Sequence, residues 1–326
     1  MQIRPRRLRL GENMRGLTRE TRISETSLIY PLFVKEGADI KDPIPSLEGQ
    51  FHFSPDRVCE AVDNSLKSGV KSFLLFGLPD HKDEAGSGAW LSEGVVQVAL
   101  RLLRARYNGE ITLITDVCLC EYTNHGHCGV LKGETVDNDK TLPLLAKTAV
   151  SHAQAGADIV APSDMMDGRV NVIRDALDKH SFTDTAILSY AVKYASKFYG
   201  PFRNAAGSAP SFGDRRTYQM DFHNRREALK EAILDTLEGA DMLMVKPAMA
   251  YGDIIAAVRE VSNLPLAAYS VSGEYAMIKS AARAGLIDEY GVMCESAVAS
   301  FRAGADMLIT YYANEIAGAI QKGDIG

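Results

Sequence analysis

The sequence lacks the long apolar stretches, the export signal and the excess of positive charge that mark membrane, secreted and nucleic-acid-binding proteins. No apolar run in its 326 residues approaches the roughly 20 residues needed to cross a bilayer. The first residues, MQIRPRRLRLGENMRG, are rich in arginine but have no apolar core of the signal-peptide kind. We therefore expect a cytoplasmic protein whose five cysteines are thiols. The net charge of −6 also argues against nucleic acid as a partner.

Nucleotide-binding fingerprints are missing as well, since the chain contains neither a GxGxxG segment nor a Walker loop. This weakens the case for a doubly wound open sheet. What the chain does contain is eight short apolar runs that alternate with helical patterns, and such runs are typical of parallel strands buried on both faces. The predicted strands span residues 28–34, 71–77, 111–117, 157–162, 186–192, 241–246, 265–271 and 306–312. Eight such alternations favour an α/β fold that is a single TIM-type (β/α)8 barrel.

Helix signals between these runs agree with that architecture. Residues 54–69 are predicted to be helical with Ser54 as a cap, and a further helix is predicted over 225–239. Three segments, AGADIV, EGADMLMV and AGADMLIT, each combine a helix end, a glycine and the start of a strand. We expect an N-terminal arm over residues 1–20, which contacts a neighbouring subunit, and a catalytic barrel over residues 21–326.

A cluster of thiols follows the third predicted strand, in the segment DVCLCEYTNHGHCGV. Cys118, Cys120 and Cys128 have a C-x-C-x7-C spacing, which differs from the paired CxxC of a structural zinc ribbon. Three thiolates leave one position of a tetrahedral zinc open, as in catalytic sites, and soft thiolates favour Zn²⁺ over Mg²⁺. His125 or His127 could supply a fourth ligand, but a loop histidine that hydrogen-bonds the backbone is the more ordinary alternative.

Two lysines, Lys193 and Lys246, are predicted to end the neighbouring fifth and sixth strands, where barrel active sites lie. Neighbouring strands lie about 5 Å apart, so burial and mutual repulsion should lower the pKa of these amines. A free amine there can attack a ketone to form a Schiff base. The alternative is that each lysine pairs with a carboxylate at the barrel mouth. Further polar residues predicted at strand ends are Asp116, Ser163, Asp164, Ser272 and Tyr311.

A long basic segment, residues 197–227, separates the fifth strand from the next helix, and we call it the flap. It is rich in glycine, serine and aromatic residues, and loops of this length are usually lids or disordered. Its side chains Arg203, Arg215, Arg216 and Gln219 could bind a substrate carboxylate, which arginine does bidentately. The alternative is a solvated insertion whose arginines form surface ion pairs.

These features together resemble the porphobilinogen synthase family, also called 5-aminolevulinate dehydratase, in its zinc-dependent branch. The motifs that carry the resemblance are DVCLCEYTNHGHCG, APSDMMDGRV, SYAVKYASKFYGPFR, GDRRTYQ, MLMVKPAMAY, YSVSGEYAMI and GADMLITYY, and they span most of the chain. The resemblance implies a lyase that condenses two molecules of 5-aminolevulinate into porphobilinogen with loss of two waters, in tetrapyrrole (heme) biosynthesis. It also implies a homo-octamer.

The resemblance implies a role for each matching residue. Lys193 forms the first Schiff base, Lys246 binds the second substrate, and Asp116 assists as an acidic residue. The zinc ligands are Cys118, Cys120 and Cys128. The substrate-binding residues are Ser163, Tyr199, Phe202, Arg203, Arg215, Gln219, Ser272 and Tyr311, of which Ser272 and Tyr311 hold the first carboxylate and Arg203, Arg215 and Gln219 hold the second.

Two positions carry weaker implications. Asn124 stands where many zinc-type relatives have serine, and we expect no change of site because both side chains are small and polar. Glu231 is similar to a residue near an allosteric Mg²⁺ in bacterial relatives, although an ordinary helix-surface carboxylate is the alternative.

Two other functions are compatible with parts of the sequence. A class I aldolase would use one lysine and leave the thiols idle. A zinc-sensing or zinc-storage module would leave the paired lysines and the flap unexplained.

Overall fold

The computed structural model describes residues 3–326, and its centre is a closed barrel of eight parallel strands. The strands are β1 (Leu28–Lys35), β2 (Ser72–Leu78), β3 (Thr112–Val117), β4 (Ile159–Pro162), β5 (Ala186–Lys193), β6 (Met242–Lys246), β7 (Leu266–Tyr269) and β8 (Met307–Ile309). Each pairs in parallel with its neighbour, and β8 also pairs with β1, where Leu28 lies opposite Leu308. The predicted TIM-type barrel is confirmed.

The helices cover the outside of this barrel. They are α1 (Glu12–Leu17), α2 (Cys59–Lys67), α3 (Val95–Tyr107), α4 (Asn138–Ala155), α5 (Arg169–Lys179), α6 (Gly200–Ala205), α7 (Arg225–Leu237), α8 (Gly252–Val261), α9 (Ser272–Arg283), α10 (Glu289–Arg302) and α11 (Ala313–Gln321). Because helices cover one side and packed side chains fill the other, the strands are buried on both faces. This explains why their sequences are continuous apolar runs without alternation.

The repeated helix-to-strand junction has the predicted conformation. Gly156, Gly239 and Gly304 follow α4, α7 and α10, with φ of 110°, 103° and 117°. A side chain is strained in this left-handed region, so glycine ends each helix and turns the chain into the next strand.

Several predicted boundaries of helices and strands were wrong. The first predicted helix begins at Cys59 rather than near Ser54, because the carbonyl of Ser54 accepts from the amides of Arg57 and Val58 in a preceding turn. The last strand ends at Ile309, so Tyr311 follows β8 and does not lie in it. Asp116 is the next-to-last residue of β3, inside the predicted strand over residues 111–117.

Shorter elements decorate the barrel. A hairpin of Lys41–Pro43 and Phe51–Phe53 adds to β1, and a second hairpin joins Leu131–Lys132 to Thr135–Val136. The N-terminal residues form a 3-10 turn at Pro5–Arg9 and then α1, and neither element contains a buried residue. Within residues 3–326, none of the helices combines the length and the apolar character that crossing a bilayer requires.

Candidate active site

The two lysines lie side by side at the barrel mouth. Lys193 ends β5, Lys246 ends β6, and the two are direct partners in the register of these strands. This pairing depends on an irregularity: Leu243 lies opposite Ser189, but Val245 lies opposite Val192, so β5 contains one extra residue. This bulge places the two lysines directly opposite each other in the strand register.

The side chain of Lys246 is enclosed by aromatic rings and is only 5 % exposed. Its Nζ lies 4.1 Å from the ring centroid of Tyr269, 5.1 Å from that of Tyr190 and 5.2 Å from those of Tyr199 and Phe202. Burial lowers the pKa of this amine to about 7, and the charge of Lys193 contributes in the same direction. This agrees with the sequence argument for a lowered lysine pKa, since burial and a second cation outweigh the nearby carboxylates.

The other lysine contacts the end of β4. Lys193 is as buried as Lys246, and its Nζ donates a hydrogen bond to the carbonyl of Ser163. The hydroxyl of Ser163 donates in turn to Oδ2 of Asp116 at 3.1 Å. These three residues therefore form one connected polar group beside the amine pair.

Asp116 is a carboxyl group held near its neutral form. Burial raises its pKa to about 8, the charge of Glu121 adds to this, and Lys193 opposes it. Its Oδ1 is buried without a hydrogen-bond partner among the described residues. Such a group can give or take a proton close to neutral pH.

Asp164 belongs to a different network. Its Oδ1 accepts from the amide of Met166 at 2.7 Å, and its other oxygen lies 3.8 Å from the buried Arg169. Arg169 also binds Asp235 at 2.9 Å. This polar residue, which the sequence placed at a strand end, therefore takes part in a buried ion network that joins the end of β4 to α5 and α7.

The three predicted cysteines come together as a group of buried thiols. The Sγ atoms of Cys118, Cys120 and Cys128 all lie within 4.8 Å of one another, with 3.4 Å between those of Cys118 and Cys120. All three are free. Hydrogen bonds from the other two thiols hold the pKa of Cys128 well below its ordinary value. A compact set of three soft donors fits zinc.

Two charged residues flank the thiols. The carboxylate of Glu121 accepts from Sγ of Cys120 at 3.2 Å, and burial raises its pKa to about 8. Arg215 is also buried, which opposes its charge, but its electrostatic interactions with Cys128 and Cys120 outweigh that effect and raise its pKa. Glu121 was not singled out from the sequence, although its position next to Cys120 was a usable signal.

The histidines of this segment bind the protein rather than completing the thiol group. Nε2 of His125 lies 3.3 Å from the carbonyl of Glu84, and Nε2 of His127 lies 3.1 Å from the carbonyl of Phe212. Within residues 3–326, neither ring nitrogen joins the cluster of ligand atoms. The alternative of loop histidines that hydrogen-bond the backbone is the one that the structure supports.

The flap is folded over the barrel mouth and is shorter than predicted. It contains a 3-10 turn at Lys197–Tyr199 and the short helix α6, and its predicted last residues, 225–227, instead begin α7. The amide of Met220 donates to the carbonyl of Lys193 at 3.1 Å, so the flap is attached directly to the end of β5.

Several flap side chains point polar atoms into the interior without a partner. Nε of Arg203, Nε of Arg215 and both amide atoms of Gln219 are buried with no hydrogen bond among the described residues. Burial, and then the charge of Arg215, lower the pKa of Arg203. The nitrogen donors of this set are of the kind that bind an anion. Arg216 differs, since it is exposed and forms an ion pair with Asp214 at 2.6 Å. For this residue the structure supports the alternative of a surface ion pair.

The remaining predicted residues join the flap to the barrel. The hydroxyl of Ser272 accepts from the amide of Phe202 at 2.9 Å, and the hydroxyl of Tyr199 donates to the carbonyl of Lys246 at 3.1 Å. The hydroxyl of Tyr311 is buried and has no partner among residues 3–326. The structure thus brings the predicted substrate-binding residues to one end of the barrel.

Two tyrosines beside the lysines were missed by the sequence reasoning. Tyr190 and Tyr269 are fully buried strand residues whose rings contact Lys246. In the sequence they are part of apolar runs, so nothing distinguishes them from core residues. Only the barrel geometry shows that they face the amines.

Glu231 lies apart from these residues, on α7. It lines a cavity of about 510 Å³ together with Asp167, Arg216 and Glu227. Burial raises its pKa, and the charges of Asp235, Asp167 and Glu227 act in the same direction. It is therefore not a fully solvated helix-surface carboxylate.

Comparisons with known proteins agree on one family. The model of the family described as delta-aminolevulinic acid dehydratase matches residues 2–319. The delta-aminolevulinic acid dehydratase of Archaeoglobus fulgidus is 53% identical over 319 residues, which cover 98% of each chain. That of Staphylococcus epidermidis is 51% identical over 321 residues, covering 98% of this chain and 99% of the other.

The fold is also that of a solved relative. The crystal structure of delta-aminolevulinic acid dehydratase (porphobilinogen synthase) from Toxoplasma gondii, in complex with the reaction product porphobilinogen, matches with a TM-score of 0.95 at 45% identity. The match covers 98% of this chain and 91% of that chain. A dihydropteroate synthase from Xanthomonas albilineans, at 10% identity and a TM-score of 0.51, shares the fold alone.

Proposed function

The chain belongs to the delta-aminolevulinic acid dehydratase family, hydro-lyases that form porphobilinogen in tetrapyrrole biosynthesis, and we propose that Lys193 and Lys246 carry its two Schiff bases. The single observation that carries this assignment is the direct register pairing of two buried lysines at the barrel mouth. An aldolase needs one such amine, and a zinc-storage module needs none.

The two amines act on two molecules of 5-aminolevulinate. Each lysine attacks the ketone carbon of one substrate, and loss of water leaves an imine. The C–C and C–N bonds of the pyrrole then form with release of the two lysine amines, so no water is taken up again and the two condensations account for the two waters released. Lys246 supplies a free amine near neutral pH because its pKa is lowered to about 7. Tethering both substrates replaces a bimolecular encounter with a reaction inside one site.

Each substrate also carries a carboxylate that needs donors. We assign the first carboxylate to Ser272 and Tyr311 and the second to Arg203, Arg215 and Gln219. The unpartnered buried donors of Tyr311, Arg203, Arg215 and the amide nitrogen of Gln219 support this assignment, since a carboxylate would accept hydrogen bonds from them. Tyr199 and Phe202 place aromatic surface between the flap and Lys246.

Asp116 and Ser163 serve proton transfer beside the amines. The hydrogen bond from Ser163 holds one oxygen of Asp116, which leaves the other free to exchange a proton with a substrate. A carboxyl with a pKa of about 8 is present in both protonation states near neutral pH. Flap closure excludes water, which competes with imine formation.

Zinc is the metal that we propose for Cys118, Cys120 and Cys128. When bound, it would supply a Lewis acid at the barrel mouth. The residues themselves provide three soft donors, with Glu121 and Arg215 placed against them. The location of Cys118 just after β3 directs this group toward the lysines rather than toward the barrel surface.

Three further expectations remain proposals. We propose that Glu231 lies near an allosteric Mg²⁺, supported by the acidic residues around its cavity.

We propose a homo-octamer in which the arm, residues 1–20, clasps a neighbouring subunit, supported by the lack of buried residues in its two helical elements. The five free cysteines fit a reducing, cytoplasmic location.

The test of this function is formation of a pyrrole from 5-aminolevulinate, followed by a colorimetric reagent. The zinc-loaded protein should produce it, and a chelator should abolish turnover while circular dichroism shows that the barrel stays folded. Re-addition of zinc should restore the rate. Absence of pyrrole from the zinc-loaded protein would refute the function, and full activity after chelation would refute a catalytic role for the thiol site.

A further inference from the structure

Three consecutive residues of the cysteine segment, His125, Gly126 and His127, hold the flap in its closed position. The backbone amide of Ser211 donates to the carbonyl of His125 at 3.0 Å. The guanidinium of Arg215 donates to the carbonyl of Gly126 at 2.9 Å. The segment between the second and third cysteines is thus a docking surface for the flap.

Gly126 brings the two backbones into direct contact. A Cβ added at this position would lie 2.3 Å from the carbonyl oxygen of Ala209, and the residue has φ of +71°. Both facts require glycine here. The close approach exists only because the flap is seated on this segment.

His127 makes the most extensive contacts with the flap. Its Nε2–H donates to the carbonyl of Phe212, and its Nδ1 accepts from the hydroxyl of Tyr218, both at 3.1 Å. These two bonds use both ring nitrogens and fix one neutral tautomer. The ring also packs against Phe212 with 4.8 Å between centroids.

Tyr218 links the same contact to the thiols. It is the flap residue that packs against the group of Cys118, Cys120 and Cys128, and its hydroxyl is bound by His127. His127 in turn directly precedes Cys128. Tyr218 and His127 therefore form the contact between the flap and the thiol group.

We propose that residues 125–127 form a latch that couples metal occupancy of the three-cysteine site to closure of the flap, with His127 as a positioning residue. A cation held by the cysteines would restrain the chain between Cys120 and Cys128, which reduces the entropy lost when the flap docks. Release of the cation would weaken the contacts of the latch with the flap, including the hydrogen bond that holds Arg215. The inference relies on the proposed function for the metal at the three cysteines and for the assignment of Arg215 to substrate.

Limited proteolysis of the full-length protein measures this coupling directly. Trypsin should cleave after the exposed Arg216 when the flap opens, and cleavage of a transiently open segment follows the population of the open form. For the wild-type protein, removal of zinc by a chelator should speed this cleavage ten-fold or more. Equal cleavage with and without zinc would overturn the coupling.

Tyr218→Phe and His127→Phe test the latch itself. Tyr218→Phe removes one hydroxyl and keeps the ring against the cysteines, so the zinc-loaded variant should show roughly five-fold faster cleavage, the effect of one hydrogen bond. Its KM for 5-aminolevulinate should rise by a similar factor, with a smaller change in kcat, because the competent closed form is less populated. His127→Phe removes both hydrogen bonds, so its zinc-loaded form should be cleaved faster than that of Tyr218→Phe. Removal of zinc should change its cleavage rate less than it changes that of the wild-type protein.

The matched control is Tyr290→Phe, which deletes a hydroxyl bound to Asp324 at 2.5 Å on an exposed tyrosine of α10. It should leave flap cleavage, KM and zinc affinity unchanged. Wild-type cleavage and KM in Tyr218→Phe would overturn the latch even if His127→Phe fails to fold. A wild-type protein that makes no pyrrole but shows zinc-dependent cleavage would reject the proposed function and retain the latch.

Discussion

The reactivity that we propose for Lys246 is a consequence of where its amine lies. An exposed lysine is protonated at neutral pH and cannot attack a ketone. Burial among Tyr190, Tyr199, Phe202 and Tyr269 removes the water that would stabilise the ammonium form, and Lys193 adds repulsion. Burial is the larger of the two effects, so the aromatic enclosure matters more than the lysine pair for this amine.

A pH profile and one variant test that argument. Because the unprotonated amine is the nucleophile, kcat/KM for pyrrole formation should fall as the pH is lowered through about 7. Lys246→Ala should make no pyrrole, yet borohydride should still trap 5-aminolevulinate on Lys193, as detected by mass spectrometry of tryptic peptides. The exposed Lys147 serves as the unmodified control. Normal turnover by Lys246→Ala would contradict its role.

The candidate site could be predicted from sequence only in part. The spacing of Cys118, Cys120 and Cys128 and the strand-end lysines carried chemical meaning in the sequence itself. The roles of the flap residues came from resemblance to a family. The contact of Arg215 with Gly126 could not be predicted, because it joins residues 89 positions apart and depends on how the flap folds.

At the scale of elements, the strands were predicted well and the irregular segments were not. Buried parallel strands have a strong apolar signal, so β1 to β6 were located to within about two residues. The short helix α6 was missed because glycine, proline and polar residues in the flap weaken any helical pattern. The start of α2 was wrong because the turn at Ser54 uses backbone bonds that composition does not reveal.

One helix contains a buried titratable group that the proposed function does not use. His152 of α4 is fully buried, and neither ring nitrogen has a hydrogen-bond partner among the described residues. Burial lowers its pKa to about 3, from 6.5 in the unfolded chain. Between these values the unfolded state binds more protons, so stability is complete above about 6.5 and is lost as the pH falls towards 3.

This gives a prediction for acid stability. From pH 6.5 downward, His152 should cost about 1.4 kcal/mol of unfolding free energy per pH unit, and His152→Leu should remove that part of the slope. Urea unfolding at pH 7 and pH 5 measures it. His180→Gln, at an exposed histidine after α5, is the control and should keep the wild-type slope. Parallel slopes for His152→Leu and wild type would contradict the account.

At the scale of the whole molecule, the N-terminal region carries several exposed apolar side chains. Ile3, Leu8, Leu10 and Leu17 of the N-terminal region are all more than half exposed. The guanidinium of Arg19 connects this region to the far end of the chain by a hydrogen bond to the carbonyl of Gly326 at 2.9 Å. Exposed apolar residues of this kind mark contact surfaces.

Deletion of residues 1–18 tests the assembly, because it keeps Arg19 and removes most of the arm. We expect a smaller oligomer by light scattering after size-exclusion chromatography, with the thermal midpoint of barrel unfolding changed little, since the deleted helical elements bury nothing. Unchanged assembly would show that the arm does not hold subunits together. A molten chain would show instead that the barrel needs it.

The bulge in β5 has a consequence for how this chemistry can be altered by mutation. Side chains of a strand alternate between its two faces, so a shift of one residue reverses every one of them. Regular pairing continued from Leu243 opposite Ser189 would place Lys246 opposite Val192, and the extra residue of β5 is what places it opposite Lys193. The pairing of the two lysines is therefore defined by the number of residues in β5 as much as by the identity of the side chains.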